Sequence, residues 1–288
     1  MLCMYLAASN SLAAFFLSDI YIPSNKILNG GASMKQRSKL AANLRLAIIS
    51  FLAGLPLILA SVPADAQFYV RSPDVKKGQL KLEEHGAIYS GPGEGERRRQ
   101  SHELETKYGL TDRFAAIAEL TARQNIGESL KAHRFELGGQ YEIIERDGDG
   151  WGLAFRSLYE WALQEGDPDE ILFGPLAKFV RGNDSFTVNS FFIGQVGDHV
   201  DIDSLELKVN WRMKHELNET WGIGVEGYSE IEDLSHTGTW DDQKHRVGPV
   251  AYLELDGMPN WEFDAGALFG VSDATSDFTF KFNVEAAF

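Results

Sequence analysis

The stretch DFTFKFNVEAAF, Asp277 to Phe288, decides the fold. Counting back from its end, Phe288, Ala286, Val284, Phe282, Phe280 and Phe278 share one face, while Ala287, Glu285, Asn283, Lys281 and Thr279 share the other. This strict period of two is that of a β-strand. A strand whose apolar face is mostly aromatic and whose last residue is Phe has the pattern of the closing strand of an outer-membrane β-barrel. Phe278, Phe280, Phe282 and Phe288 are then its expected assembly signal.

Working back from that strand, the chain breaks into segments of about ten residues separated by turn chemistry, as a barrel requires. A short lead, Gln67 to Gly78, precedes Gln79 to Ser90. Arg98 to Tyr108, Arg113 to Ala122, Lys131 to Ile144, Trp151 to Trp161, Ile171 to Phe179 and Phe186 to Gln195 follow. Leu205 to His215, Trp221 to Ile231, Lys244 to Leu255 and Trp261 to Phe269 bring the total with the closing strand to twelve, ten and fourteen being the neighbouring even counts. The fold class is therefore all-β, a transmembrane antiparallel up-and-down barrel of about twelve strands with both termini on the periplasmic side. The connections GLTD, RDGDG, RGND, LNET and DGMPN are short, and most of the alternate ones are longer. Trp151, Trp161, Trp211, Trp221 and Trp261 fall at or near strand ends, where interfacial aromatic girdles belong. Glu84, Gln100 and His102 fall on faces that should be apolar, so a bulge or a shortened strand is expected there.

The beginning of the chain has a different character. From Met34 a basic segment (Lys35, Arg37, Lys39, Arg45) leads into the apolar run Leu46 to Leu59 and then Ala64-Asp65-Ala66, the three parts of a secretory signal peptide. The run is too short for a helix that needs about twenty residues to span a bilayer. The expected organisation is an over-extended gene start over 1–33, a signal over 34–66 and a barrel over 67–288. Removing the leader's five basic and two acidic residues from 27 Lys and Arg and 42 Asp and Glu leaves 22 minus 40, a charge of −18. Such a chain is a poor partner for nucleic acid. Its one cysteine, Cys3, lies in the leader, which excludes disulfide and thiol chemistry from the barrel.

The turn YGLTDRF (Tyr108 to Phe114), the segment GDPDEILFGPLAKF (Gly166 to Phe179) and the Phe-ended last strand resemble the outer-membrane proteins grouped under the MetA pathway of phenol degradation. The resemblance covers about residues 78–288. It implies a barrel that passes small molecules, apolar ones among them.

Strand parity nominates the lumen lining: Lys81, Glu103, Glu105, Arg113, Glu119, Arg134, Glu136, Arg156, Glu160, Lys208, Arg212, Glu226, Arg246, Asp264, Lys281 and Glu285. Parity adds Glu83, Arg99, Lys107, Glu142, Lys214, Glu254 and Glu262 to the same face. Charges of both signs in a low-dielectric interior must pair, so these groups form either an ion-pair network filling a narrow lumen or the lining of a selective path. Negative charge gathers in the outer loops, at Glu165, Asp167, Asp169, Glu170, Asp198, Asp201, Asp203, Glu232, Asp233, Asp241 and Asp242, and disfavours anions.

No catalytic, cofactor or metal residue is expected. Only Ser101-His102 and Ser235-His236 place a serine beside a histidine, and strand neighbours point to opposite faces. Asp147-Gly-Asp149-Gly150 begins like a calcium loop, but Leu158 stands where the closing glutamate belongs. The expected function is an outer-membrane channel or diffusion transporter in a Gram-negative bacterium, preferring neutral or cationic small solutes. The alternative is a non-conducting structural or surface-interaction barrel, with an outer-membrane hydrolase as the third reading. Expected partners are outer-membrane lipid and lipopolysaccharide, the barrel assembly machinery and a small-molecule solute.

Overall fold

The computed structural model describes residues 68–93, 98–198, 200, 204–257 and 259–288. The expected signal, its preceding 1–33 segment, Asp201 and Asp203 lie outside the described residues. Twelve strands run β1 (Leu80–Ser90), β2 (Arg98–Gly109), β3 (Phe114–Asn125), β4 (Lys131–Ile144), β5 (Gly150–Ala162), β6 (Asp169–Arg181), β7 (Asp184–Val196), β8 (Leu205–Glu216), β9 (Trp221–Ile231), β10 (Lys244–Leu255), β11 (Asn260–Gly270) and β12 (Phe278–Ala287). Each pairs antiparallel with its chain neighbours, and β1 pairs with β12, so the sheet closes on itself. Closure removes the free edges that hydrocarbon cannot satisfy. Beyond β12, Phe288 exchanges two backbone hydrogen bonds with Leu80 at the seam, of 2.8 and 3.2 Å.

The alternation in sequence becomes an inside and an outside. Along β5, Trp151, Phe155 and Trp161 are exposed, while Ala154, Arg156, Leu158 and Glu160 are buried. On β12, Phe278 and Phe280 are exposed, while Thr279, Lys281, Asn283 and Glu285 are buried. A soluble sheet buries its apolar face; this wall exposes Ile88, Leu120, Phe135, Leu137, Met213, Ile223 and Val225 and buries its charges. That inversion, on a closed barrel, is the solution for a strand-built span of the Gram-negative outer membrane.

Local departures refine the sequence expectations. Arg113 is not lumenal: it lies exposed in the turn before β3. The expected bulge is found in β2, where the register with β3 shifts between Arg98 and Gln100, and it turns Arg99 to the exposed side. Trp211 sits in the middle of β8 instead of at an end, its ring covering Gly227. Glu84 and His102 do face outward, but they contact each other and are buried, with the Phe282 ring edge-on to His102 at 6.1 Å between centroids.

The lead departs furthest from its expectation as a simple entry to β1. Phe68 to Lys77 has no strand structure and runs down the inside of the barrel toward the periplasmic rim. There the chain reverses through Gly78, whose φ of 77° is left-handed, and enters β1. Gly109 lets the reversal seat, because a Cβ there would lie 2.1 Å from the Lys76 carbonyl oxygen. The Gly78 N–H donates to the Gly109 carbonyl at 2.8 Å, and the Gly109 N–H donates to the Gln79 carbonyl at 3.0 Å.

Candidate functional site: the charged lumen

Strands about 4.8 Å apart and tilted about 40° make a twelve-stranded wall about 24 Å across between backbones. Side chains from both sides narrow that bore, and the lead lies within it.

Register organises the acidic residues of the wall. Glu254 pairs across strands with Glu262, Glu262 with Glu285, and Glu285 with Glu83. Glu83 pairs with Glu105, Glu105 with Glu119, Glu119 with Glu136, Glu136 with Glu160, and Glu160 with Glu170. Because the strands tilt, this row climbs as it circles the wall, from Glu254 near the periplasmic end of β10 to Glu170 at the outer end of β6. Like charges directly opposite one another across a ladder are destabilising, so the row needs counter-cations.

Cations from the wall and the lead meet most of that row. Arg156 donates to Glu105 at 3.0 Å and contacts Glu119. Arg71 of the lead reaches the same carboxylates, with Nε 3.3 Å from Glu105, Nη2 3.4 Å from Glu119, and a contact to Glu103. His85 lies between Glu83, at 3.2 Å, and Glu103, at 3.0 Å, with the Tyr69 ring stacked on it at 4.0 Å. Lys81 meets Glu285, Lys214 meets Glu254, and Arg134 donates to Glu170 at 2.6 Å while its Nε lies 4.0 Å from Glu160. A second network centres on Glu226, which accepts from Lys281, from Arg212 at 2.8 Å and from the Tyr252 hydroxyl at 2.8 Å. Lys281 also lies 2.9 Å from Asp264. Ion pairs thus join many of the groups that parity placed on the inner face, and Arg113 is not among them.

Cavities lie in the lumen among the described residues. One of about 200 Å³ opens toward the outer face, lined by Arg134, Glu170, Glu206, Lys208, Glu230, Lys244 and Arg246, with Phe68 and Tyr228 among its walls. Another, about 30 Å³, lies by Tyr69, Arg212, Asn283 and Glu285. Outside the lumen, the β9–β10 loop is ordered by Trp240, which stacks on His245 at 3.7 Å and donates to the Val271 carbonyl at 2.8 Å. In that loop, hydrogen bonds from Ser235 and Ser204 hold the Asp233 carboxyl below the ordinary carboxylate range. The Thr239 backbone and hydroxyl do the same for Asp242.

The alternative chemistries meet specific geometry. Ser101 points into the lumen, its hydroxyl 3.2 Å from that of Tyr89, while His102 faces outward. Ser235, His236 and Asp233 do touch, but Ser235 and Asp233 both contact Nδ1, at 2.8 and 3.3 Å, whereas a triad needs the two partners on opposite ring nitrogens. Glu103, Glu105 and Glu119 stand close enough to share a cation, and two guanidinium groups already hold that space. Asp147 to Gly150 is a tight turn with Gly148 and Gly150 at positive φ, and Asp149 accepts from the Gly182 N–H at 3.0 Å.

Sequence parity nominated most members of the glutamate row but could not align them. It left Glu170 in a loop and missed Arg71 altogether. No family model matches the sequence, and no curated protein does. Among solved structures the chain is similar to a KdgM porin in complex with disordered oligogalacturonate, at 9% identity and a TM-score of 0.49, covering 72% of this chain and 98% of that one. It is similar to the NanC porin at 10% identity and a TM-score of 0.48, with the same coverages. The outer membrane protein OprD from Pseudomonas aeruginosa matches at 11% identity and a TM-score of 0.37, covering 74% of this chain and 65% of that one.

Proposed function

We propose that this barrel is an outer-membrane channel for small solutes, with neutral and cationic solutes preferred over anions and no enzymatic role. The observation that carries the reading is the glutamate row, which runs from one end of the lumen to the other on register-matched positions. A barrel that only needed filling would gain more from apolar residues of similar volume, since buried ion pairs seldom stabilise more than well-packed apolar groups. Charge retained along the whole axis suits hydrated cargo. The acidic outer loops act in the same direction. Membership of the phenol-degradation-pathway family belongs to this proposal, carried by the Tyr108–Phe114 and Gly166–Phe179 motifs.

A non-conducting barrel is the second reading, favoured by the lead lying in the bore. Planar-bilayer recording under a salt gradient separates the two. The channel reading expects small conductance with a reversal potential on the cation side. Folded protein that gives neither current nor liposome swelling would make the structural barrel the better account.

A further inference from the structure

We propose that the lead, Phe68 to Lys77, is a reversible plug, and that its withdrawal opens a cation-selective bore along the glutamate row. This rests on the channel reading. The lead is no part of the barrel wall, because β1 already pairs with both β2 and β12 without it. It ties opposite walls together instead. The Arg71 N–H donates to Asn189 of β7 at 2.7 Å, and Asn189 donates back to the Arg71 carbonyl at 2.9 Å, while the Arg71 guanidinium crosses to Glu103 and Glu105 of β2 and Glu119 of β3. A segment bonded to both sides at one level stands across the bore and narrows it.

Its upper end has a matching receptor. Phe68 packs edge-on to Tyr89 at 5.8 Å and Tyr228 at 5.1 Å, in an apolar cluster with Ala87 and Leu268 on an otherwise charged wall. Below, Gln140 donates to the Pro73 carbonyl at 2.9 Å, and Glu142 accepts from the Val75 N–H at 3.1 Å. These anchors are side-chain contacts with no backbone ladder, so they can break without disturbing a strand. Gly78 at the rim is the pivot. When Arg71 leaves, Glu103, Glu105 and Glu119 keep Arg156 and His85 as their near cations, and that level of the bore gains negative character. Selectivity for cations then resides within the bore as well as at the mouth.

The test compares full-length protein with the double variant Phe68→Ala/Arg71→Ala and with a chain lacking 68–74, each first confirmed as folded by heat-modifiability. Both altered proteins are expected to conduct several-fold more than the parent and to show a larger cation-over-anion permeability ratio. Adding Glu105→Gln to the double variant should reduce that ratio. A second readout needs no current: Val70→Cys, at a buried lead position, should react slowly with an impermeant maleimide and several-fold faster when combined with Arg71→Glu. Equal conductance in all three proteins overturns the plug and leaves the channel standing. Folded proteins that are all silent overturn both. Equal labelling rates overturn the latch role of Arg71.

Discussion

The Glu84–His102 pair shows what a single residue can cost on the lipid side of a barrel. It is tolerated because Phe282 folds over Gly86, where a Cβ would lie 2.2 Å from the ring. Gly86→Ala must push the ring off, and overpacking of this kind costs about 1–3 kcal/mol. The expected outcome is a lower urea midpoint for the detergent-folded protein; an unchanged midpoint would show that the ring moves freely. His102→Ala is expected to lower the midpoint as well, because it leaves the buried Glu84 carboxyl without its hydrogen-bond partner, a loss of about 1–3 kcal/mol. The double change Glu84→Leu/His102→Leu removes both polar groups and should recover most of that loss, since apolar replacement of a buried pair is often neutral or stabilising. If the double variant unfolds as readily as His102→Ala, the pair has a role beyond satisfying itself.

At the scale of elements, β12 and the lead carry opposite burdens. β12 holds lipid on one face and Lys281, Asn283 and Glu285 on the other, and it closes the ladder with β1. Asp at Phe280 and Phe282 together should leave an unassembled chain. Arg or Lys on a lipid face at mid-bilayer costs about 2–4 kcal/mol each, and Asp somewhat less. Normal band-shifting of the double Asp variant on a gel would show that this face does not meet lipid. The lead bears no such duty. Gly78→Ala places a side chain at a φ of 77°, and the left-handed conformation costs an L-residue about 1–2 kcal/mol. That strain falls on the turn under the plug, so the variant should still band-shift while its conductance rises. Loss of the band shift would mean the turn is needed to assemble β1.

For the whole molecule the decisive quantity is the distribution of charge. Exposed charges are screened over about 8 Å at physiological ionic strength, so the mouth's contribution to cation preference should fade as salt rises. The contribution of the buried row should persist. The preference should also fall with pH as the loop carboxylates protonate. Asp233 and Asp242 bind protons less readily in the folded loop than in the unfolded chain. Their stabilising effect on the loop is therefore present above the ordinary carboxylate pKa and is lost as pH falls through their depressed values. Reversal potentials measured down a pH series check this persistence. An abrupt loss of preference at the ordinary carboxylate pKa would contradict it.

The sequence by itself determined the wall. A period of two with the apolar face outward survives any choice of partner, because a slip of one residue would turn every charge into lipid. All twelve strands were therefore legible, with boundaries within three residues of those observed. Pairing between strands is not a property of any one segment, so the alignment of Glu83, Glu105, Glu119, Glu136, Glu160 and Glu170 into a climbing row appears only when the tilt and shear of the closed barrel bring distant positions level. The lead was illegible for a related reason. Phe68 to Lys77 has no periodicity to read, and its conformation is set by contacts that the barrel creates, above all Arg71 between Asn189 and the carboxylates of β2 and β3. Only the tertiary structure decides what fills the lumen, because the interior exists only once β12 has met β1.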